Sequence, residues 1–368
     1  MAVESPDRNL RPYQAEAVSA IAAGLRDGGC GQLRAACGTG KTYIASKAAA
    51  ELAGGGVTAV LVPSIALAAQ TITAWQAGCP TERVLAVCSD YTVGGGGVRA
   101  SDLAVPVTTD AEVIAKWLAD AAGRALVVGT YDSAHRLAEG LRRAGQVAEL
   151  VVCDEAHRLA GRVGTTTAAI LQPGFLPERR RLYMTATPRI GTGVSAGGKL
   201  LVTSMDDEQV FGPVAYTYPF SRGIAEGWLK GYRLVVAGIT DAQVSELLDG
   251  EDGGRLVAEG GVPLRMAAAQ AALAMTAARF GLRRTLAFLP RIDQSRQFAR
   301  TLPATLLPPQ HRPHGPVSAG HVDGRMTSAQ RELVLDRLRH PPEGGWSVVA
   351  NARCLGEGVD VISGWSWV

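Results

Sequence analysis

At 368 residues the chain is longer than one hydrophobic core usually supports, so two domains of roughly 150–200 residues are expected. A hydrophobic fraction of 47% with a charged fraction of 19%, below the norm of about 25%, fits a soluble α/β protein, and a net charge of +3 excludes any argument for nucleic acid from charge alone. The cysteines at 30, 37, 79, 88, 153 and 354 form no CxxC pair and have no matching His spacing, so reduced thiols are expected rather than zinc ligands or disulfides.

The first residues, Met1 to Arg8, contain acids and no apolar core, so neither a secretory signal nor a transit peptide is expected and the protein is placed in the cytoplasm. Leu10-Arg11-Pro12-Tyr13-Gln14 then leads into an Ala-rich helix to about Leu25. The Gln14 amide offers one acceptor and one donor group that suit an adenine edge, although a Gln beside a Tyr can also be plain surface.

Ala35-Ala36-Cys37-Gly38-Thr39-Gly40-Lys41-Thr42 is a small-residue turn that runs into a helix, and it reads as a triphosphate cradle. Gly38, Thr39 and Gly40 let successive N–H groups point at one anion, and the helix start adds partial positive charge. Lys41 is placed to reach the β- and γ-phosphates, and the Thr42 hydroxyl to hold Mg²⁺. The general motif asks for Gly where Ala35 stands. A glycine turn capping a helix is the bland alternative, but lysine occurs only at 41, 47, 116, 199 and 230, and one falls where the motif needs it.

That helix runs to Ala53 and stops at Gly54-Gly55-Gly56, and Val57–Val62 reads as a fully buried strand. From Leu52 to Thr81 there is no charge, but the glycines, Pro63, Gln70 and Trp75-Gln76 break the run into strand and helix, so no membrane span is expected. Ser64 opens a helix carrying Gln70, and its polar first turn could grip a phosphodiester; helix capping by Ser64 accounts for it equally. Val84–Cys88 is a further strand, and Gly94–Gly97 a loop without chemistry. Asp110 is a good N-cap for a helix over 111–122, and the strand Ala125–Tyr131 presents Gly129-Thr130-Tyr131 at the end where open α/β sheets bind ligands.

Leu150–Cys153 is a buried strand that delivers Asp154 and Glu155, followed by Ala156 and His157. Carboxylates are costly to bury without compensation. Asp154 would reach the Mg²⁺ through its water shell and Glu155 would polarise the water attacking the γ-phosphate, with two plain N-caps as the alternative. The strand and turn Arg181–Pro188 carries Thr185 and Thr187, whose hydroxyls could bond to the acidic segment and pass on a nucleotide state; a simple threonine turn is also open.

The glutamine turn, AxxGxGKT, PxxxLxxQ, GTY, DEAH and TATP, in this order, resemble superfamily 2 helicases and translocases. More narrowly the chain resembles the bacterial DEAD/DEAH-box group near type I and type III restriction subunits and UvrB. The resemblance covers essentially the whole chain. It implies an α/β fold of two RecA-like (P-loop NTPase) domains with mainly parallel sheets, and ATP and Mg²⁺ as cofactors. It further implies that Gln14 reads adenine, that Lys41, Asp154 and Glu155 are catalytic, and that His157, Thr185 and Thr187 couple nucleotide to nucleic acid. Ser64, Gln70, Thr130 and Tyr131 match motifs touching one strand's backbone, which implies sequence-independent, salt-sensitive binding.

After Pro188 the character changes. Gly191–Gly198 is loose, Phe211–Phe220 is a short β-rich patch, and a helix is expected over Ser221–Lys230. The expected domains are 1–220, the ATP-binding lobe, and 221–368, a partial second lobe opening on Tyr232–Ala237. An acidic excursion at Asp249–Gly254 precedes a helix from Pro263 to about Phe280, the strand Thr285–Leu289, the helix Arg291–Leu302, a strand closed by His321-Val322-Asp323-Gly324, a helix capped by Thr327 or Ser328, and the strand Ser347–Ala350. Asn351–Asp360 resembles the family's fifth motif, in which Gly356 would approach the nucleic acid and Asp360 the nucleotide ribose; a mere glycine turn is the alternative.

Relatives continue into a QxxGRxxR helix, which the residues 361–368 do not resemble. The second lobe is therefore expected to be incomplete, and an absent arginine finger, worth roughly 10³–10⁵ in rate, would leave nucleotide binding with little turnover. The expected function is an ATP-dependent DNA helicase or translocase core, with DNA preferred over RNA by subgroup likeness, in restriction or defence with protein partners unknown. The alternative is an ATP-gated nucleic-acid-binding module or degenerate fragment.

Overall fold

The computed structural model describes residues 10–81, 83–89, 100, 103–120, 123–162, 167–191, 202–236, 263–302, 315–352 and 366–367. The chain divides into two compact units that change over between Gly231 and Tyr232.

In the first unit α1 (Pro12–Gly24) starts with proline at its first turn, and the Gln14 Oε1 accepts from Arg11 N at 3.0 Å. There follow β1 (Gly29–Ala35), α2 (Lys41–Leu52), β2 (Val57–Val62), α3 (Ile65–Gly78), β3 (Arg83–Val87), α4 (Ala111–Ala119), β4 (Ala125–Thr130), α5 (Ala134–Arg143) and β5 (Leu150–Cys153). The short β6 (Gly161–Arg162), then β7 (Arg180–Thr185), β8 (Val202–Thr203), α6 (Glu208–Phe211), β9 (Val214–Tyr218) and α7 (Phe220–Ala225) complete it.

Seven of these strands form one parallel sheet in the order β3-β4-β2-β5-β7-β1-β9. Both faces are covered, and for that reason β2 and β4 are apolar runs buried at every position rather than alternating. Side-chain alternation splits the core in two. Val57, Ala59 and Leu61 pack with Ile114, Leu118, Leu137 and Leu141 of α4 and α5 on one face. Val60 and Val62 pack with Ile21, Ile44 and Trp75 of α1, α2 and α3 on the other. Because the strands are parallel, the turns after β1, β2, β4, β5 and β7 all leave from one edge of the sheet.

Two boundaries differ from those expected. The helix expected over 111–122 ends at Ala119. The helix expected over Ser221–Lys230 ends at Ala225, because Gly227 takes φ 76° and closes a Schellman-type stop in which Gly227 N donates to Ile224 O and Trp228 N to Gly223 O. Arg222 of α7 pairs with Glu16 of α1 at 3.0 Å, so the residues just past the expected 220/221 boundary are tied to the first unit.

The second unit contains α8 (Leu264–Phe280), β10 (Arg284–Phe288), α9 (Ile292–Thr301), β11 (Val317–Val322), α10 (Ser328–Arg339), β12 (Trp346–Asn351) and β13 (Ser366–Trp367). Its parallel four-stranded sheet has the order β11-β12-β10-β13 and packs Trp346, Val348 and Ala350 against Leu273, Phe298 and Leu302. Thr327 caps α10 in a reciprocal box with Gln330. Beneath the sheet Ser295 Oγ meets His321 Nδ1 at 2.8 Å, and His321 Nε2 meets Asp323 Oδ2 at 3.1 Å. Ser295 is wholly buried, so this Ser-His-Asp row is a polar tie between α9 and β11 rather than a nucleophile. Gly94–Gly97, Asp249–Gly254, Gly356 and Asp360 lie outside the described residues. Among the described residues no helix is long and apolar enough to cross a membrane; the uncharged run is β2 and α3.

Candidate nucleotide-binding site

The turn between β1 and α2 is built on two left-handed glycines, Gly38 and Gly40, each with φ 80°. A side chain at 40 would be strained by that φ and would also lie 2.9 Å from the Gln14 Nε2, so the position requires Gly. The start of α1 holds the turn from outside. Thr39 O accepts from both Tyr13 Oη (2.9 Å) and Gln14 Nε2 (3.0 Å), while Thr39 Oγ1 donates to Ala36 O at 2.6 Å. Gln14 is thus buried and bonded to the turn, with one amide N–H and one carbonyl lone pair left by its two bonds. Lys41 and Thr42, half-buried, begin α2, whose first-turn N–H groups have no intrahelical partner.

The acidic turn leaves the end of β5. Asp154 is buried; its N donates to Leu61 O at 2.9 Å and its Oδ1 accepts from Glu155 N at 2.9 Å. Glu155 has φ 49° and ψ 45°, and among the described residues it is the one non-glycine with positive φ. That conformation costs of order 1–2 kcal/mol and is typical of residues whose side chain is being aimed. The Glu155 Oε2 lies 3.3 Å from His157 Nδ1, which is 3.1 Å from Thr185 Oγ1, and Thr187 N donates to that same Oγ1 at 3.1 Å.

Burial pushes the Glu155 carboxyl up, but the hydrogen bond with His157 and the charges of Lys41, His157 and Arg158 outweigh it and hold it below the ordinary value. The influence of Lys41 puts the phosphate turn and the acidic turn within one electrostatic neighbourhood, although β7 runs between their parent strands. Thr42 and Asp154 supply a hydroxyl and a carboxylate, the oxygen donors a hard divalent cation takes.

The residues expected to touch nucleic acid fare differently. Ser64, half-buried, is the N-cap of α3 and accepts from Leu67 N at 3.3 Å; Gln70 is exposed one turn further on. Thr130 and Tyr131 are buried at 0% and 4% exposure, so neither presents surface to a nucleic-acid strand in this structure. The reason is that β4 lies inside the sheet, and Tyr131 Oη turns inward to donate to Asp154 O at 2.5 Å. This bond to the acidic turn was missed by sequence reasoning, although an aromatic hydroxyl at a strand end beside the acids was the available sign.

A phosphate turn after β1, an Asp-Glu turn after β5 and a His-Thr bond to the end of β7, on a parallel sheet of this order, define a superfamily 2 helicase core of the kind found near restriction subunits. The chain belongs to the family described as type III restriction enzyme, res subunit, whose model matches residues 7–190. It is 31% identical over 225 residues to the probable helicase A859L of African swine fever virus (isolate Tick/South Africa/Pretoriuskop Pr4/1996), covering 61% of this chain and 24% of that protein. Among solved structures it is similar to the ATP-dependent type ISP restriction-modification enzyme LlaBIII bound to DNA, with TM-score 0.81, 27% identity, and coverage of 98% of this chain and 25% of that one. It shares the fold of a nuclease-deletion mutant of the type ISP enzyme LlaGI in complex with a DNA substrate mimic, at TM-score 0.65 and 24% identity over 93% of this chain and 25% of that one. The chain spans about a quarter of the length of these relatives.

Proposed function

We propose that this chain is an ATP-dependent DNA helicase or translocase core that couples ATP binding and hydrolysis to movement on DNA in a cytoplasmic restriction or defence system. Residues up to Gly231 carry the nucleotide site, and those from Tyr232 onward belong to the second lobe. One observation carries the reading: Glu155, held in a left-handed turn, feels the Lys41 charge on one side and shares His157 with Thr185 on the other. A water-polarising carboxylate needs that pairing of phosphate turn and reporting contact.

In this reading Gly38, Thr39 and Gly40 supply backbone N–H groups to the phosphates, Lys41 neutralises them, and Thr42 with Asp154 holds Mg²⁺, which supplies charge neutralisation on the phosphates. Gln14 keeps one donor and one acceptor group for the adenine edge. Glu155 orients the water. His157, Thr185 and Thr187 report the nucleotide state, and Ser64 and Gln70 face the nucleic acid. DNA rather than RNA is supported by the likeness to restriction enzymes solved with DNA.

The test is ATP binding and DNA-stimulated phosphate release by the 368-residue chain. Lys41→Ala is expected to lose binding, and Glu155→Gln to keep binding but lose release. An unchanged rate in Lys41→Ala would refute the reading. Binding without release by the wild-type chain would mark an ATP-gated clamp instead.

A further inference from the structure

The Schellman stop of α7 delivers Trp228 and Leu229 to the same corner as Gln14 and the phosphate turn. The Leu229 Cδ2 would sit 3.5 Å from a Cβ placed on Gly38, so this segment lies against the turn itself. The Trp228 ring lies 6.1 Å from that of Tyr13, tilted at 60°, and the Arg11 guanidinium lies over it at 4.8 Å. Tyr13 and Gln14 are the two side chains bonded to Thr39 O. A large aromatic side chain that stays 40% exposed beside Tyr13 and an exposed Arg11 is not there to fill the core.

We propose that Trp228 is the platform on which the nucleobase of the bound triphosphate stacks, with the Arg11 guanidinium as its companion and the remaining amide groups of Gln14 at the base edge. This rests on the ATP-site reading above and adds the element that grips the base. The chemistry is direct: an indole face attracts both a cation and a π-face, so the seat that now carries Arg11 is one a purine can share or take. The phosphate turn recognises any triphosphate, whereas Trp228 makes the site prefer one that carries a base.

The test compares two probes, ATP·Mg²⁺ and the base-free tripolyphosphate·Mg²⁺, titrated calorimetrically into the 368-residue chain and its Trp228→Ala and Trp228→Phe variants. Base stacking on an aromatic residue predicts that Trp228→Ala weakens ATP by about 5- to 150-fold and leaves tripolyphosphate unchanged, with Trp228→Phe recovering most of the loss. Unchanged ATP affinity in Trp228→Ala overturns the inference while leaving the ATP site standing. Equal weakening of both probes also overturns it, because Trp228 would then only brace the turn near Gly38. A wild-type chain that binds tripolyphosphate as tightly as ATP overturns it too, and one that binds neither overturns the site reading with it.

Discussion

Replacing Thr185 by Val removes one hydroxyl and keeps the side-chain shape, at a position with no solvent exposure. Two contacts go with it: the acceptor for Thr187 N at 3.1 Å and the partner of His157 Nδ1 at 3.1 Å. Each is worth about 0.5–1.5 kcal/mol net. Thr187 is exposed, so its N–H can turn to water, and His157 keeps Glu155, so both losses fall toward the low end. The sum is about 1–2 kcal/mol, or a fall in Tm of about 2–8 °C for a unit of this size. The larger effect is functional. The phosphate turn is untouched, so ATP affinity should hold, while stimulation by DNA should fall by at least about fivefold, the lower end of ordinary coupling free energies. Thermal unfolding, ATP titration and phosphate release with and without DNA measure the three quantities. A variant that keeps full DNA stimulation would show that no relay runs through this hydroxyl, and one that loses ATP binding would show that the hydroxyl serves the nucleotide directly.

Cys37 is exposed within the phosphate turn, while Cys79, Cys88 and Cys153 are buried and Cys30 is half-buried. A maleimide should therefore label Cys37, ATP·Mg²⁺ should slow that labelling, and Cys37→Ala should remove the protectable adduct; mass spectrometry that finds no protection would place the phosphates elsewhere. A carboxyl held below its ordinary value of about 4.3 stabilises the fold above that pH and loses the contribution as pH falls through the lowered value. The unfolding free-energy difference between wild type and Glu155→Gln should accordingly be present at pH 7 and shrink below about pH 4, and a difference independent of pH would count against the charge environment described. Arg181, with a side chain 6% exposed, meets Glu178 at 2.5 Å. Glu178→Leu alone should cost about 3 kcal/mol or more in urea unfolding by stranding that charge, and adding Arg181→Met should recover part of it, whereas additive losses would mean that the pair is not coupled.

What could be read from the sequence is what is local. The phosphate turn and the acid pair each crowd their chemistry into a few contiguous residues, and the buried, mostly apolar runs of β2, β4 and β5 declare a sheet covered on both faces. What escaped depends on where distant segments meet. Thr130 and Tyr131 look like surface residues of a ligand-binding strand end, but both are buried and the Tyr131 hydroxyl turns inward to the acidic turn. Trp228 looked like part of a helix, because the stop at Gly227 is visible only once the left-handed φ is known. The tie from Ser295 to His321 joins residues on different elements, and no local pattern marks it.

The strand order places the end of β7 between the glycine turn after β1 and the acidic turn after β5. β1 and β5 are not neighbours; each pairs with β7, with Tyr183 in register with Gln32 on one side and Cys153 on the other. The residues after Tyr183 therefore sit between those two turns. A shift of either turn alone moves it relative to Thr185. The left-handed kink at Glu155 keeps the acidic turn within hydrogen-bond reach of that hydroxyl through His157. Strain at that one residue is thus offset by contacts that come from two neighbouring strand ends, and relaxing it would separate the Glu155 carboxylate from His157 and Thr185 in the same movement.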